Sequence, residues 1–466
     1  MKSFRAYVPE QTLLMPPSLR EWVPEGHLAR FIEELAEGLD LGEIYATYEA
    51  DGRGQSAYHP LLMVRVLFYG YATGRYSSRK LEQATYEDVP TRYLVADQHP
   101  DHSRIAEFRR RHLGALGRLF GQILRLCAGA GLVKLGRVAI DGTKIKANAS
   151  RFKARTYEQM QEEEKRLEEE IQKWLREAER ADAAEDEEYG HGVRGEELPP
   201  QLATREKRLQ VIRELKAELE REAKEKAERK RAQMQKHLEE RQKEEQRLGR
   251  RFGGRPPKLP DPEQAQPKPT AQRNWIDPDS RIMKDKGSNS FQQAYNAQAA
   301  VDGEHQVIVA ASVTQQEYDR EQLIPLLQQV EQHLKRRPLV VLADADYWNP
   351  QAFGEEYLQS LDVYVPPEGE HRVRKRGKAS RWARNPEVLD RLREKMKTAA
   401  AREQYRARQG IVEPVFGCLK QARGFRQFLM RGLQKVTAEW NLICAMHNVR
   451  KLFQAGGLAP AVAEAA

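Results

Sequence analysis

Cysteine is scarce in this chain. Its three cysteines, Cys127, Cys418 and Cys444, are far apart and odd in number, which argues against a disulfide framework or a zinc knuckle and fits a reducing, cytoplasmic setting. No apolar run reaches membrane-spanning length and no secretory leader opens the sequence, so no membrane partner is expected. Aromatic residues are few, at 8% against 32% charged, and the mean hydropathy of -0.78 is polar for a single globular unit. Part of the chain is therefore expected as exposed helix or linker. Its 466 residues allow two or three domains. Lys+Arg 78 against Asp+Glu 69 leaves a net charge of +9 and a pI of about 9.2, a balance that favours a polyanion such as nucleic acid.

The chain is organised around residues 136–150. Val138, Ala139 and Ile140 read as a short buried strand ending on Asp141, which Gly142 follows. A carboxylate at a strand tip points into a cleft, although turn forming or helix capping is the commoner role of a lone Asp. Thr143, Lys144, Lys146 and Asn148 suit a phosphate-rich ligand lying over that end.

Residues 1–135 read as helical. Pro60 opens a densely apolar helix that should stop at Gly74, Ser77 caps a second, and Pro100 to Ser103 starts a third. In the third, Ile105, Phe108, His112, Leu116, Leu119, Ile123 and Cys127 recur at helical spacing, with Arg104, Arg109, Arg110 and Arg111 interspersed. A solvated basic face and a helix along a DNA backbone are equally compatible with that pattern.

Residues 151–271 break the pattern. Met160, Leu167, Ile171 and Trp174, then Leu209, Ile212, Leu215 and Leu219, keep a spacing of three or four inside dense Glu, Lys and Arg. Two helices folded back as an antiparallel hairpin are implied, followed by a Pro-rich run to Gln272 that reads as a flexible linker. The hairpin could grip a second protomer or DNA, or serve as a strut.

From residue 272 to 455 globular sequence resumes, with a tail at 456–466. Gln293–Val301 and Gln306–Val313 read as strands joined by an Asp302-Gly303 turn. Tyr318–Leu334 reads as a helix, Pro338–Asp344 as a strand ending in a second carboxylate, and Leu361–Val365 as a strand. With the strand at 136–150, this order matches an α/β ribonuclease H-like domain with a mixed sheet, preceded by the all-α domain and interrupted by the long helical hairpin. A third acid, Glu413, lies between Gly410 and Pro414, where a break or a helix start is expected.

The motifs resemble those of DDE transposases of bacterial insertion sequences with an InsH-type N-terminal domain. The resemblance is carried by His59–Arg79, Pro100–Arg109, Ile140–Asn148, Asp277–Met283, Tyr295–Gln298, Leu342–Tyr347 and Glu413–Lys420, continuing through Arg423–Arg426 and Arg431-Gly432. It implies Asp141, Asp344 and Glu413 as a catalytic and metal-binding triad. Tyr405, Arg408 and Lys420 match the family's tyrosine, arginine and lysine signature and, with Lys144 and Lys146, would contact DNA. Asp346 stands where the family usually has glycine, and four residues separate Arg408 from Glu413 where three are usual.

The resemblance implies a transposase that binds the terminal inverted repeats of its own element and cuts and joins DNA with Mg²⁺, Mn²⁺ being able to substitute. Carboxylates suit that chemistry, because two magnesium ions about 3.5 to 4 Å apart take hard oxygen ligands. A homodimer holding two DNA ends is the family expectation. A transposase-derived scaffold without catalysis and a generic metal nuclease are the rival readings. Trp275, Trp348 and Trp382 could wedge into DNA but are more often core or interface residues. The basic run His371–Lys378 could lie along DNA or form an exposed loop.

Overall fold

The computed structural model describes residues 18–48, 57–189, 200–250, 258–285, 290–367 and 386–457. The basic run at 371–378 and Trp382 lie outside them. In chain order come α1 (Pro60–Thr73), α2 (Ser78–Glu87), α3 (His102–Gly129), β1 (Arg137–Lys146), α4 (Tyr157–Tyr189) and α5 (Pro200–Leu248). After these come β2 (Phe291–Asp302), β3 (Ile308–Thr314), α6 (Leu323–Leu334), β4 (Val340–Ala343), β5 (Asp362–Tyr364), α7 (Ala399–Gly417) and α8 (Leu433–Gln454). Two compact units form: residues 1–148 with 294–466, and residues 149–293.

The larger unit is a mixed α/β structure. Its sheet runs β3-β2-β1-β4-β5, antiparallel across β3-β2-β1 and parallel across β1-β4-β5. α1 starts with Pro60 and stops at Gly74, whose φ of 83° a side chain would strain. α3 is capped by Asp101, whose Oδ1 accepts from Ser103 N at 2.9 Å and Arg104 N at 3.0 Å. Ile105, Phe108, Leu116, Leu119, Ile123 and Cys127 are buried, and α3 packs on α8. Arg109 is not on the basic face with Arg104, Arg110 and Arg111. It is buried, and Nη1 donates to Tyr76 O at 2.7 Å while Nη2 donates to Ser78 Oγ at 3.2 Å, so it ties α3 to the α1–α2 corner.

Three elements differ from their sequence reading. Asp141 is not at a strand tip: β1 continues to Lys146 because β2 pairs with it as far as Lys146 opposite Ala294. α6 begins at Leu323 and not at Tyr318, because Asp319 is drawn into a buried side-chain network. α7 runs unbroken through Pro414. Proline cannot donate to the carbonyl four residues back, Gly410 O, and Gln306 Nε2 occupies that carbonyl at 3.0 Å.

In the smaller unit α4 and α5 form the expected seam. Tyr157, Met160, Leu167 and Ile171 meet Leu209, Ile212, Leu215 and Leu219, flanked by ion pairs such as Lys216–Glu164 at 2.8 Å. The Pro-rich run after α5, expected as a flexible linker, is tied to this unit at several points. Tyr157 N donates to Ala271 O at 2.8 Å, and Lys224 Nζ meets Glu263 at 2.6 Å. Trp275 packs against the seam with the Arg208 guanidinium 5.3 Å from its ring centre. In the larger unit Trp348 is buried against Phe353, so both tryptophans act as packing residues.

Two polar side chains of the larger unit, Gln306 at the surface and Glu439 in the core, give testable outcomes. Gln306→Ala is expected to cost about 1 kcal/mol in urea unfolding, and Pro414→Ala in the same chain to recover part of it by restoring an N–H for Gly410 O. The second concerns Glu439 of α8, whose carboxyl accepts from Leu429 N and Met430 N and is pushed by burial from 4.5 to about 7. The unfolded chain releases this proton first, so stability falls as pH rises from about 4.5 to 7. Glu439→Gln is expected to remove about 2 kcal/mol of that fall, read as the difference in unfolding free energy between pH 5 and pH 8.

Candidate active site

The register of β1 sets two acids side by side. Its parallel partner β4 stops at Ala343, opposite Ile140. The next residue on β1 is Asp141 and the next after β4 is Asp344, so the carboxylates flank the point where the strands part. Below that point the strand residues Val138, Ala139, Ile140, Val341, Leu342 and Ala343 are fully buried. The acids thus stand at the rim of an apolar sheet.

α7 supplies their counter-charge. Arg408 is buried on α7 and donates Nη1 to Asp141 Oδ2 at 2.9 Å, while Gly142 N donates to Asp141 Oδ1 at 2.8 Å. Burial pushes the Asp141 carboxyl up, and Arg408 pulls the other way. Asp344 is pushed up to about 6, first by burial and then by the charges of Asp141 and Asp346. Asp346, the acid standing in place of glycine, also donates its backbone N–H to Asp344 Oδ1 at 2.9 Å. The Tyr405 ring lies 5.8 Å from the Arg408 guanidinium.

Lys144 and Lys420 belong to the same region. Lys420 Nζ donates to Lys144 O at 2.9 Å, and Lys144 Nζ donates to Glu317 O at 2.5 Å and stands 3.9 Å from Asp319. Lys146, at the end of β1, is exposed, with its backbone N–H bonded to Arg426 O. Glu413 lies on α7 with its side chain exposed. Five residues from Arg408, it stands about 140° round the helix from the residue that reaches Asp141. Among the described residues no group of three His, Cys, Asp or Glu side chains could hold a metal ion. The structure therefore brings together Asp141, Asp344, Arg408, Tyr405, Lys144 and Lys420, and leaves Glu413 outside the acid pair.

Asp319 escaped the sequence reading. Two amides, Asn296 and Gln298, on the buried face of one strand demand a polar partner, and that demand is the signal that could have led to Asp319.

Residues 17–111 match the family described as Transposase domain (DUF772), and residues 371–453 match the family described as Transposase DDE domain. No curated protein and no solved structure matches the chain. In class the protein is a transposase. More narrowly, the two matches together support a DDE transposase of insertion sequences, as the motifs suggest. The second match contains Tyr405, Arg408, Glu413 and Lys420, while Asp141 and Asp344 lie outside both. Among the described residues no helix is long and apolar enough to cross a membrane.

The donor chemistry of the acid pair suits a hard divalent cation. Both carboxyls are oxygen donors, and each is raised by burial that a cation would offset. Protons compete for the same oxygens. With Asp344 at about 6, a Mn²⁺ ion held by both carboxyls would bind about tenfold more weakly at pH 5 than at pH 7 in calorimetric titration of the wild-type protein. A flat profile would show that Asp344 is not a ligand.

Proposed function

We propose that this protein binds the terminal inverted repeats of its own insertion sequence and cleaves and joins DNA strands with Mg²⁺, for which Mn²⁺ substitutes. The observation that carries this reading is the Asp141–Asp344 pair, set side by side by strand register and neutralised by Arg408 from the segment that matches a DDE domain. In this reading the larger unit is built on a ribonuclease H-like catalytic domain, divided as 136–150 and 272–455. Residues 1–135 form a DNA-binding domain, and the hairpin within 151–271 grips DNA or a second protomer. Two copies would hold the two element ends.

Asp141 and Asp344 would hold the metal, with Glu413 as the third acid. When bound, magnesium supplies activation of the attacking oxygen and stabilises the leaving one. The remaining work falls to the chain. Lys144, Lys146 and Lys420 offer cations to DNA phosphates, and Arg408 with Tyr405 orients the phosphate beside the acids. Water attacks phosphorus, the bond to the 3′ oxygen breaks, and that oxygen leaves as a hydroxyl. In strand transfer the freed 3′-hydroxyl attacks a target phosphodiester in the same site, and the target's P–O3′ bond breaks as that 3′ oxygen leaves as a hydroxyl. One observation favours the rival scaffold reading: Glu413 is exposed and stands apart from the pair.

Purified protein incubated with its element's flanking DNA and Mg²⁺ is expected to cut at fixed positions near the repeats. Asp141→Ala and Asp344→Ala should each abolish cutting while leaving DNA binding intact. Binding without cutting by the wild-type protein would establish the scaffold instead. If Glu413→Ala cuts at the wild-type rate, the acid pair works without Glu413.

A further inference from the structure

Beside the acid pair lies a buried polar layer that contains none of the triad or DNA-contacting residues, although Lys144 stands at its edge, 3.9 Å from Asp319. Asn296 and Gln298 stand two residues apart on β2, opposite Lys144 and Gly142 of β1, and both are fully buried. Their amides converge on one oxygen: Asn296 Nδ2 lies 2.5 Å and Gln298 Nε2 2.6 Å from Asp319 Oδ1. Asp319, itself buried, follows β3 in the chain. At its other end Gln298 accepts, through Oε1, the hydroxyl of Tyr347. Tyr347 is fully buried and comes three residues after Asp344.

The Gln298 amide cannot turn over without pressing its oxygen against the Asp319 carboxylate. Nor is there room beside it. A Cβ on Gly142 would lie 2.8 Å from Asp319 Oδ1 and 2.9 Å from Asn296 Oδ1. Contacts therefore run from Lys144, three residues after Asp141, through Asp319 and Gln298 to Tyr347. This route ties the strand that bears one acid to the turn that bears the other, independently of Arg408. Asp319 Oδ1, already shared by two amides, is poorly placed to serve as a ligand itself.

We infer that Asp319 is a positioning residue: the Asn296–Gln298–Asp319–Tyr347 network fixes the spacing of Asp141 and Asp344, and with it their affinity for a divalent cation. This rests on the proposed function, which makes those acids the metal ligands. Partners behind metal ligands typically set affinity by about 10- to 100-fold.

The test uses Asp319→Asn and the near-isosteric Tyr347→Phe in the full chain. Three quantities are measured: Mn²⁺ binding without DNA by electron paramagnetic resonance, the Mg²⁺ concentration for half-maximal cleavage, and affinity for an element-end duplex. Each variant is expected to weaken Mn²⁺ binding and raise the Mg²⁺ requirement about tenfold, with duplex affinity unchanged within about twofold. A network that only stabilised the fold would lower the melting temperature and leave the metal requirement alone, and that result overturns the inference. If Asp319→Asn fails to fold, Tyr347→Phe decides by the same criterion. A wild-type protein that neither binds Mn²⁺ nor cuts would overturn the proposed function and this inference with it, whereas wild-type cutting with unaltered variants overturns this inference alone.

Discussion

Two carboxylates held side by side at the rim of an apolar sheet repel each other and are poorly solvated, and the Arg408–Asp141 ion pair offsets that cost. The surrounding structure serves this constraint. β1 must extend past β4 so that Asp141 faces the gap where the parallel partner ends, and α7 must cross close enough for Arg408 to reach 2.9 Å from Asp141. α7 keeps its course through a proline because Gln306, from the β2–β3 turn, fills the carbonyl that Pro414 leaves without its donor. A break at Pro414 would separate Arg408 and Tyr405 from Lys420, which reaches back to the Lys144 carbonyl. Helix continuity and site geometry are thus one requirement.

Local signals in the sequence are decisive where a single residue sets the outcome. Pro60 and Gly74 bound α1, Asp101 caps α3, and Asp302-Gly303 turns β2 into β3. Apolar spacing marks the hairpin seam, because the apolar residues of α4 and α5 that recur every three or four positions cover one another. What could not be read depends on partners distant in the chain. Asp141 looked like a strand tip because the apolar run stops there, but β2, more than 140 residues later, pairs with β1 beyond it. Arg109 looked like part of a basic face until Tyr76 and Ser78 were seen to absorb its guanidinium. Helical spacing places a residue on a face, but it does not say which cation is spent in the core.

The candidate site divides the same way. Asp344 was legible as the acid closing an apolar strand, and family motifs led to Arg408 and Tyr405. The structure adds what they do together: the guanidinium that looks suited to phosphate also neutralises the acid pair. Asp319 is not legible because an acid in the first turn of an expected helix resembles any other until two buried amides are found pointing at it. Glu413, one of the three acids the motifs imply, is the one the geometry leaves apart.

The central claim is that Asp141 and Asp344 form the metal-holding pair of a DNA-cutting site. Anomalous diffraction from crystals grown with Mn²⁺ tests it most directly. The account predicts a manganese peak within coordination distance of both carboxylates, with Arg408 displaced from Asp141. A peak elsewhere on the chain, or none beside these acids while DNA is bound, would contradict it.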